Sequence, residues 1–350
     1  MEFVAIEEIH AAALRALPAG VAAYLESGAG RESTLRANLE AFGHWVIRPR
    51  PMSGVSEPDM SATVLGIGLA APILTSPFGG DALFHPDGQL AVARANAACG
   101  TASIVPEVGS FSYEAVRAAA PGAARIAQVH PYQSFGSAAG RIRAAGYDAL
   151  CVTVDCPQTG WRVRSKMGGF RPDVSVWSGN DPGDGSPSVG SMFAVPTSAS
   201  NPAWTWDQLA EAAARAGMPW IAKGILTAPA AEAALAAGAS AILVSNHGGR
   251  QVDPSPASLD ALPEVVAAVA GRVPVLLDSG IRSGADVLIA LALGADAVVI
   301  GRLAAYGLAA GGEAGVRRVL ELLTGELRTL MILAGLPDIK SITPDVVAPR

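Results

Sequence analysis

The chain reads as a (β/α)8 barrel with a helical N-terminal extension and one long loop after the fourth barrel strand. Three observations predict this. Short apolar runs rich in Val, Ile or Thr recur at 72–77, 101–106, 124–130, 149–155, 219–225, 240–247, 273–280 and 296–302; their near-continuous apolarity suits strands buried on both faces. Between them lie Ala-, Leu- and Arg-rich stretches with helical spacing at 87–99, 112–120, 134–146, 206–217, 228–238, 258–271 and 283–294, several closed by a glycine that accepts the left-handed conformation of a helix end. Polar and ionisable residues then collect at the carboxyl ends of the apolar runs, the face that carries the site in this fold.

Taken in order, residues 1–60 form the extension, with helical character at 9–17 and 22–26 but none at Arg48-Pro49-Arg50-Pro51, where proline removes the donor a helix needs. Residues 63–70 predict a hairpin that plugs the lower end of the barrel. Its Gly66-x-Gly68-x-x-Ala71 imitates a dinucleotide fingerprint, yet Pro72 follows where a helix should begin, so the match is set aside. Residues 61–350 make the barrel, and the whole reads as a single domain. The stretch 171–205 is dense in Gly, Pro, Ser and Asp, has no period, and exceeds ordinary barrel loops; a mobile active-site loop is expected there.

Composition narrows the function. Among 350 residues, 25 Lys+Arg face 31 Asp+Glu for a net charge of −6, without the basic surplus that a phosphate backbone requires. Half the residues are hydrophobic and 16% are charged, against about 25% in ordinary soluble domains, which builds a large core and excludes disorder. Cys99, Cys151 and Cys156 are odd in number and contain no C-x-x-C, so neither a disulfide framework nor a zinc motif is read, and a reducing cytoplasm is the expected home. Met1-Glu2-Phe3 begins no basic-then-apolar signal. Glu232, Asp286 and Asp296 interrupt the apolar stretches before the ~20 residues of a membrane span, so no membrane partner is expected.

The strand ends carry Pro77-Phe78-Gly79, Pro106-Glu107, Gln128 with His130, Thr153 with Asp155, Lys223, Ser245-Asn246-His247 with Arg250, Asp278-Ser279-Gly280 with Arg282, and Gly301-Arg302. The last two groups put glycine amides and two guanidinium forks on the seventh and eighth strands, the usual phosphate site of a barrel. The competing reading, tight turns with arginines on surface carboxylates, does not account for both falling on those two strands. His247 follows the sixth strand beside Gly248-Gly249, where a neutral imidazole can take a proton and Arg250 can bind a carboxylate. His10, His44 and His85 sit in no such motif, and no spacing suggests a metal. Lys223 is open between a Schiff base, a fixed positive charge and a snorkelling wall residue.

The run Ser245-Asn246-His247-Gly248-Gly249-Arg250-Gln251, with the 278–282 turn and Gly301-Arg302, resembles the FMN-dependent α-hydroxy acid oxidases and dehydrogenases, the family of glycolate oxidase, lactate oxidase and mandelate dehydrogenase. The similarity runs from Leu17-Pro18 and Tyr24 through Asn38 and Pro49-Arg50 to the C-terminal helices. It implies FMN as cofactor, oxidation of the C2 hydroxyl of a 2-hydroxy acid to the 2-oxo acid, and a homotetramer. It also implies roles. His247 would be the base, with Asp155 stabilising its imidazolium. Arg162, Arg250, Tyr24 and the residue at position 130 would hold substrate. Lys223 would stand beside the flavin N1–O2 edge as a fixed charge. Gln128, Thr153 and Ser245 would hydrogen-bond the isoalloxazine, with Pro77, Phe78 and Gly79 near its N5 side. Asp278, Ser279, Gly280, Arg282, Gly301 and Arg302 would hold the rest of FMN and its phosphate.

The substrate positions depart from the family pattern. His130 stands where a tyrosine is usual, Pro106 and Val108 replace a serine and an aromatic, Phe78 replaces a small residue, and 163–169 lacks the customary acidic and arginine residues. The alternative this raises is a larger or amine-bearing substrate of specialised metabolism, an amine pairing with Glu107. A flavin-binding protein without turnover is disfavoured, since His247, Asp155, Lys223 and Arg250 are all present. Oxygen, a quinone or a protein are the candidate electron acceptors.

Overall fold

Eight parallel strands close on themselves in strict sequence order in the computed structural model, which describes residues 3–171, 173–181 and 203–350. The extension supplies α1 (Ile6–Ala16), α2 (Ala19–Glu26), α3 (Ser33–Glu40) and β1 (Trp45–Ile47), followed by the hairpin β2 (Ala62–Val64) and β3 (Ile67–Leu69). The barrel then runs β4 (Ile73–Thr75), α4 (Gly88–Cys99), β5 (Ala102–Val105), α5 (Tyr113–Ala119), β6 (Arg125–Val129), α6 (Phe135–Ala144) and β7 (Ala149–Thr153). After a short α7 (Val163–Met167) come α8 (Trp206–Ala216), β8 (Trp220–Ile225), α9 (Ala228–Ala236), β9 (Ala241–Val244), α10 (Ser258–Val269), β10 (Val275–Asp278), α11 (Gly284–Ala292) and β11 (Ala297–Ile300). A long α12 (Arg302–Ala334), broken at Gly311-Gly312, and β12 (Val347–Pro349) finish the chain. β9 pairs with β10 and β11 with β4, which seals the ring.

The strands are buried on both faces because their side chains serve two cores. Leu74, Ile104, Ile126, Cys151, Ile221, Leu243, Leu276 and Val299 fill the barrel, while Ile73, Val105, Val129, Val152, Ile242, Leu277 and Ile300 meet the surrounding helices. Alternation along each pleated strand sends neighbours to opposite faces. The hairpin joins the inner core through Val64, Ile67 and Leu69, so it does plug the lower end. Its turn, Leu65-Gly66, has φ of 52° and 78°, the left-handed pair that a two-residue hairpin needs. That geometry explains the glycine pattern that imitates a nucleotide fingerprint.

At their carboxyl ends the observed strands stop up to three residues short of the apolar runs, and the trimmed ends include Asp155, His247 and Arg302 of the site. Sequence periodicity missed α3, α7 and the antiparallel pairing of β1 with β12, all too short to show a period. Of the long loop expected at 171–205, residues 172 and 182–202 lie outside the described residues. The described part makes a 3-10 turn at Val174–Trp177 and is tied to the loop after β5: Ser110 Oγ donates to Val176 O (2.6 Å), Gly179 N to Gly109 O (3.0 Å) and Asn180 Nδ2 to Glu107 O (2.9 Å).

Candidate active site at the carboxyl ends of the strands

A cavity of about 380 Å³ opens at the carboxyl ends of the barrel strands, within the usual size of a small-molecule site. Of the residues singled out in the sequence, Tyr24, Pro77, Phe78, Gly79, Gln128, His130, Thr153, Arg162, Lys223, His247, Arg250, Asp278, Ser279, Gly280, Arg282, Gly301 and Arg302 all line it. Asp155 and Ser245 stand behind that wall.

His247 begins a run of three left-handed residues, with φ of 60°, 66° and 72° at His247, Gly248 and Gly249. Such a conformation is costly for a residue with a Cβ and persists only where the surroundings impose it. Here the backbone N–H of His247 donates to Ser245 Oγ (3.1 Å) and that of Gly248 to Ser279 Oγ (3.0 Å). The imidazole Nδ1 lies 3.3 Å from Asp155 Oδ2 and 3.5 Å from Cys156 Sγ. Burial lowers the His247 pKa; Asp155 opposes that and Lys223 reinforces it. Burial alone would raise Asp155, but His247 and Lys223 outweigh it and hold the carboxyl down at about 2. The pair is thus a neutral imidazole beside a carboxylate at neutral pH.

Lys223 lies within β8, two residues before its end, and is buried, its ammonium 3.0 Å from Ser245 Oγ and 3.3 Å from Asp278 Oδ2. Burial would lower its pKa, but Asp278 and Asp155 outweigh this and raise it, which leaves a permanent cation rather than an amine for Schiff-base chemistry. Ser245 was expected against the cofactor ring. It is fully buried one residue beyond β9, accepting from Lys223 and from the His247 amide.

Four arginines face the cavity and lack an acidic partner. The ion pairs at this end of the barrel are Lys223–Asp278, His247–Asp155 and His130–Glu107; among the described residues none involves Arg162, Arg250, Arg282 or Arg302. They are held by carbonyls instead. Arg250 Nη1 donates to Tyr24 O (2.8 Å) and Ser27 O (2.7 Å), and Arg302 Nε to Leu25 O (2.8 Å). Arg162 Nε reaches Arg250 O at 3.3 Å, and Arg282 Nη1 reaches Ile281 O at 2.7 Å. Burial, aided by Arg162, brings Arg250 down to about 9, and burial lowers Arg302 as well. Cations so desolvated call for anions in the cavity.

The wall near β5 and β6 holds the residues that depart from the family pattern. Glu107 is buried between Pro106 and Val108, which line the cavity, but its own carboxylate turns to His130, with Oε2 accepting from the His130 amide (2.7 Å) and lying 2.9 Å from Nδ1. An amine pairing with Glu107 therefore finds that carboxylate already engaged. Gln128 Oε1 accepts from Glu107 N at 3.1 Å, which turns its amide nitrogen toward His130 (3.3 Å). Sequence reasoning missed Phe170 and Trp177, which also line the cavity. Phe170 stacks on Tyr24 with ring centres 4.2 Å apart, and Trp177 meets Phe170 edge-on at 6.2 Å. The only signal for them is two large aromatics in or beside an otherwise polar loop.

These residues fit FMN. Unpaired Arg282 and Arg302 suit a terminal phosphate, with Ser279 and Gly280 beside them. Gly248 faces the cavity with open space: a Cβ there would meet nothing nearer than Arg302 Nη1 at 3.8 Å. Gly280 is needed for a different reason, since a Cβ would strike Asn38 O at 2.1 Å. Lys223 and the amide of Gln128 offer donors for a polar ring edge, and Arg162 and Arg250 remain for a second anion.

Comparison with known proteins agrees with this geometry. The model of the FMN-dependent dehydrogenase family matches residues 13–349. The peroxisomal (S)-2-hydroxyacid oxidase GLO3 of Arabidopsis thaliana is 40% identical over 349 residues, covering 98% of this chain and 95% of its own. An L-lactate oxidase of Nostoc sp. is 41% identical over 333 residues, 91% of either chain. The crystal structure of a mandelate oxidase superposes with a TM-score of 0.90 at 34% identity, covering 100% of this chain and 99% of the other. A closed barrel with an FMN-shaped set of donors and a family match along nearly its whole length together show that the chain belongs to the FMN-dependent dehydrogenases, flavin oxidoreductases of 2-hydroxy acids.

Proposed function

We propose that this chain oxidises the C2 hydroxyl of a small 2-hydroxy acid to the 2-oxo acid, with His247 as base and Arg162 and Arg250 as the clamp on the substrate carboxylate. The observation that carries the reading is the joint opening of His247 and two unpaired guanidiniums onto the cavity that holds Lys223, Arg282 and Arg302. Bound FMN would accept the C2 hydrogen together with its bonding electron pair.

The protein side chains do the rest. The guanidinium forks fix the carboxylate and so the orientation of C2, which is where most of the gain in such a step arises. The substrate hydroxyl gives its proton to the imidazole nitrogen opposite Nδ1, because Nδ1 faces Asp155. Asp155 favours the imidazolium as it forms. Lys223, held by Asp278, is a fixed positive charge on the cavity wall and would stabilise negative charge on the bound cofactor. Tyr24 supports Arg250 through its ring face, 4.9 Å from the guanidinium carbon.

The extension 1–60 and the barrel 61–350 are read as one working unit, with Phe170 and Trp177 lining the site. The reading extends to a cytoplasmic homotetramer. Three cysteines without a disulfide support a reducing compartment, and among the described residues no helix is long and apolar enough to cross a membrane. The tetramer rests on the family resemblance and is tested by light scattering of the holoprotein.

The deciding experiment is anaerobic reduction of the purified holoprotein, followed at the flavin band, with glycolate, both enantiomers of lactate and mandelate, longer 2-hydroxy acids and amine analogues. Bleaching by one or more hydroxy acids is expected. Silence across all of them, with the flavin still reducible by dithionite, overturns the reading.

A further inference from the structure

His247, Asp155 and Cys156 meet behind the cavity wall at spacings that proton transfer alone does not explain. A charge-assisted hydrogen bond between imidazole and carboxylate spans about 2.7–2.9 Å, whereas His247 Nδ1 stands 3.4 Å from Asp155 Oδ1 and 3.3 Å from Oδ2. Cys156 Sγ lies 3.5 Å from the same Nδ1 and 3.6 Å from the same Oδ1. Asp155 Oδ2 is buried and accepts no hydrogen bond among the described residues. A nitrogen, a sulfur and an oxygen thus form a triangle with sides of 3.4, 3.5 and 3.6 Å. Zinc bonds of about 2.0–2.1 Å to nitrogen, 2.3 Å to sulfur and 2.0–2.2 Å to oxygen, set at tetrahedral angles, give edges of about 3.3–3.6 Å. The triangle is one face of that tetrahedron.

We propose that Asp155, Cys156 and His247 form a binding site for a thiophilic divalent cation, zinc or cadmium, and that its occupancy shuts the enzyme off. The donor set matches the class: thiolate, imidazole and carboxylate suit zinc, while magnesium and calcium require oxygen ligands throughout. Linear motif reading does not find the site, because His247 comes 91 residues after Cys156.

Charge supports it. Lys223 and Arg162 both act on Asp155 or Cys156 and would repel a bare dication. Carboxylate and thiolate cancel its two charges, so the filled site presents no net charge to them. The thiol, held protonated by burial and by Asp155, releases its proton to solvent as the metal–sulfur bond forms.

Inhibition follows from tautomer chemistry. A metal on Nδ1 uses that lone pair, so the single proton of neutral imidazole must sit on Nε2. That nitrogen then donates where it should accept, and the substrate hydroxyl has no base. This consequence rests on the reading of His247 as base, whereas the metal site itself does not.

The test titrates untagged holoprotein with zinc against a chromogenic zinc indicator, in parallel with Cys156→Ser and Cys156→Ala. The flavin absorbance of each variant reports that it has folded with its cofactor. One equivalent of zinc per chain is expected for the parent. Either variant should bind more weakly than the parent by at least the roughly 10–100-fold seen when a group that merely orients a ligand is lost. Cadmium should produce an ultraviolet thiolate charge-transfer band in the parent that both variants lack, and magnesium should not compete. Equal zinc affinity in parent and variants, or no bound equivalent at all, overturns the site. One bound zinc with turnover unchanged keeps the site but overturns the claim that its occupancy shuts the enzyme off, and with it the role of His247 as base.

Discussion

His247 is pulled in two directions, down by burial and Lys223 and up by Asp155, and the balance lies below an ordinary histidine. The acid limb of kcat/KM is therefore expected below the usual ~6.5. As pH falls through that limb the imidazole is protonated in advance and cannot take the hydroxyl proton. Asp155→Asn removes the anion that favours the imidazolium, so it should move the limb lower still and reduce kcat by roughly 10²–10⁴; a pH-rate profile of both proteins decides this. An unshifted limb would mean that the titrating group is not His247. Arg250→Lys keeps the charge but loses the fork, and kcat/KM should drop by roughly 10–150-fold, the equivalent of one charged hydrogen bond of about 1.5–3 kcal/mol. His130→Tyr tests whether the residue at this position redirected specificity. Its Glu107 partner would then be a buried carboxylate without the imidazole, so the substitution is made together with Glu107→Gln. Turnover of simple 2-hydroxy acids should rise, and no rise in the rate constants would discard the idea.

At the scale of elements, the extension is part of the site rather than an appendage. The carbonyl end of α2 carries the partial negative charge of a helix terminus, and Tyr24, Leu25 and Ser27 turn their oxygens to Arg250 and Arg302. The segment that follows locks onto the loop bearing His247: Ala29 N donates to Gly249 O (2.8 Å), and Asp253 accepts from Arg31 N, Thr34 N and Ser33 Oγ at 2.7–2.8 Å. Asn38 and Asn246 exchange two amide hydrogen bonds of 2.9 and 2.7 Å, both residues buried. Asn38→Ala should cost about 1–3 kcal/mol by removing both bonds and leaving the Ser258 N–H, which donates to Asn38 Oδ1 at 3.1 Å, without its acceptor. Chemical denaturation should show it as a lower midpoint at unchanged slope. The helical character of the extension could be read from its sequence, but α3 was too short to show a period, and the docking of 27–38 onto the His247 loop depends on partners 208 to 222 residues away.

For the molecule as a whole, the charge is −6 while the cavity gathers Arg162, Lys166, Lys223, Arg250, Arg282 and Arg302 around one acid among the described lining residues, Asp278. This inversion selects anions, one for the phosphate end of the cofactor and one for the substrate carboxylate. Without FMN the four arginines have no acidic partner among the described residues, so the cofactor should act as a structural ligand. At a free concentration of 100 times its Kd, FMN is expected to add about 2.7 kcal/mol to stability. Unfolding midpoints of the apoprotein across an FMN titration measure this, and a midpoint independent of FMN would contradict it.

Fold class and the cavity-lining residues were legible because both rest on local rules. Strand and helix alternate with a visible period, a barrel puts its chemistry at strand ends, and the His247 run is compact enough to recognise in a single stretch. What only the tertiary structure decided are contacts between residues far apart in the chain. Ser245 accepts from Lys223, Glu107 holds His130, and Phe170 and Trp177 line the cavity. The sequence by itself determined which residues stand at the mouth of the barrel, since the period of a strand settles that locally. Which way each side chain turns there is settled by burial and by partners on other strands, and these exist only once the ring has closed.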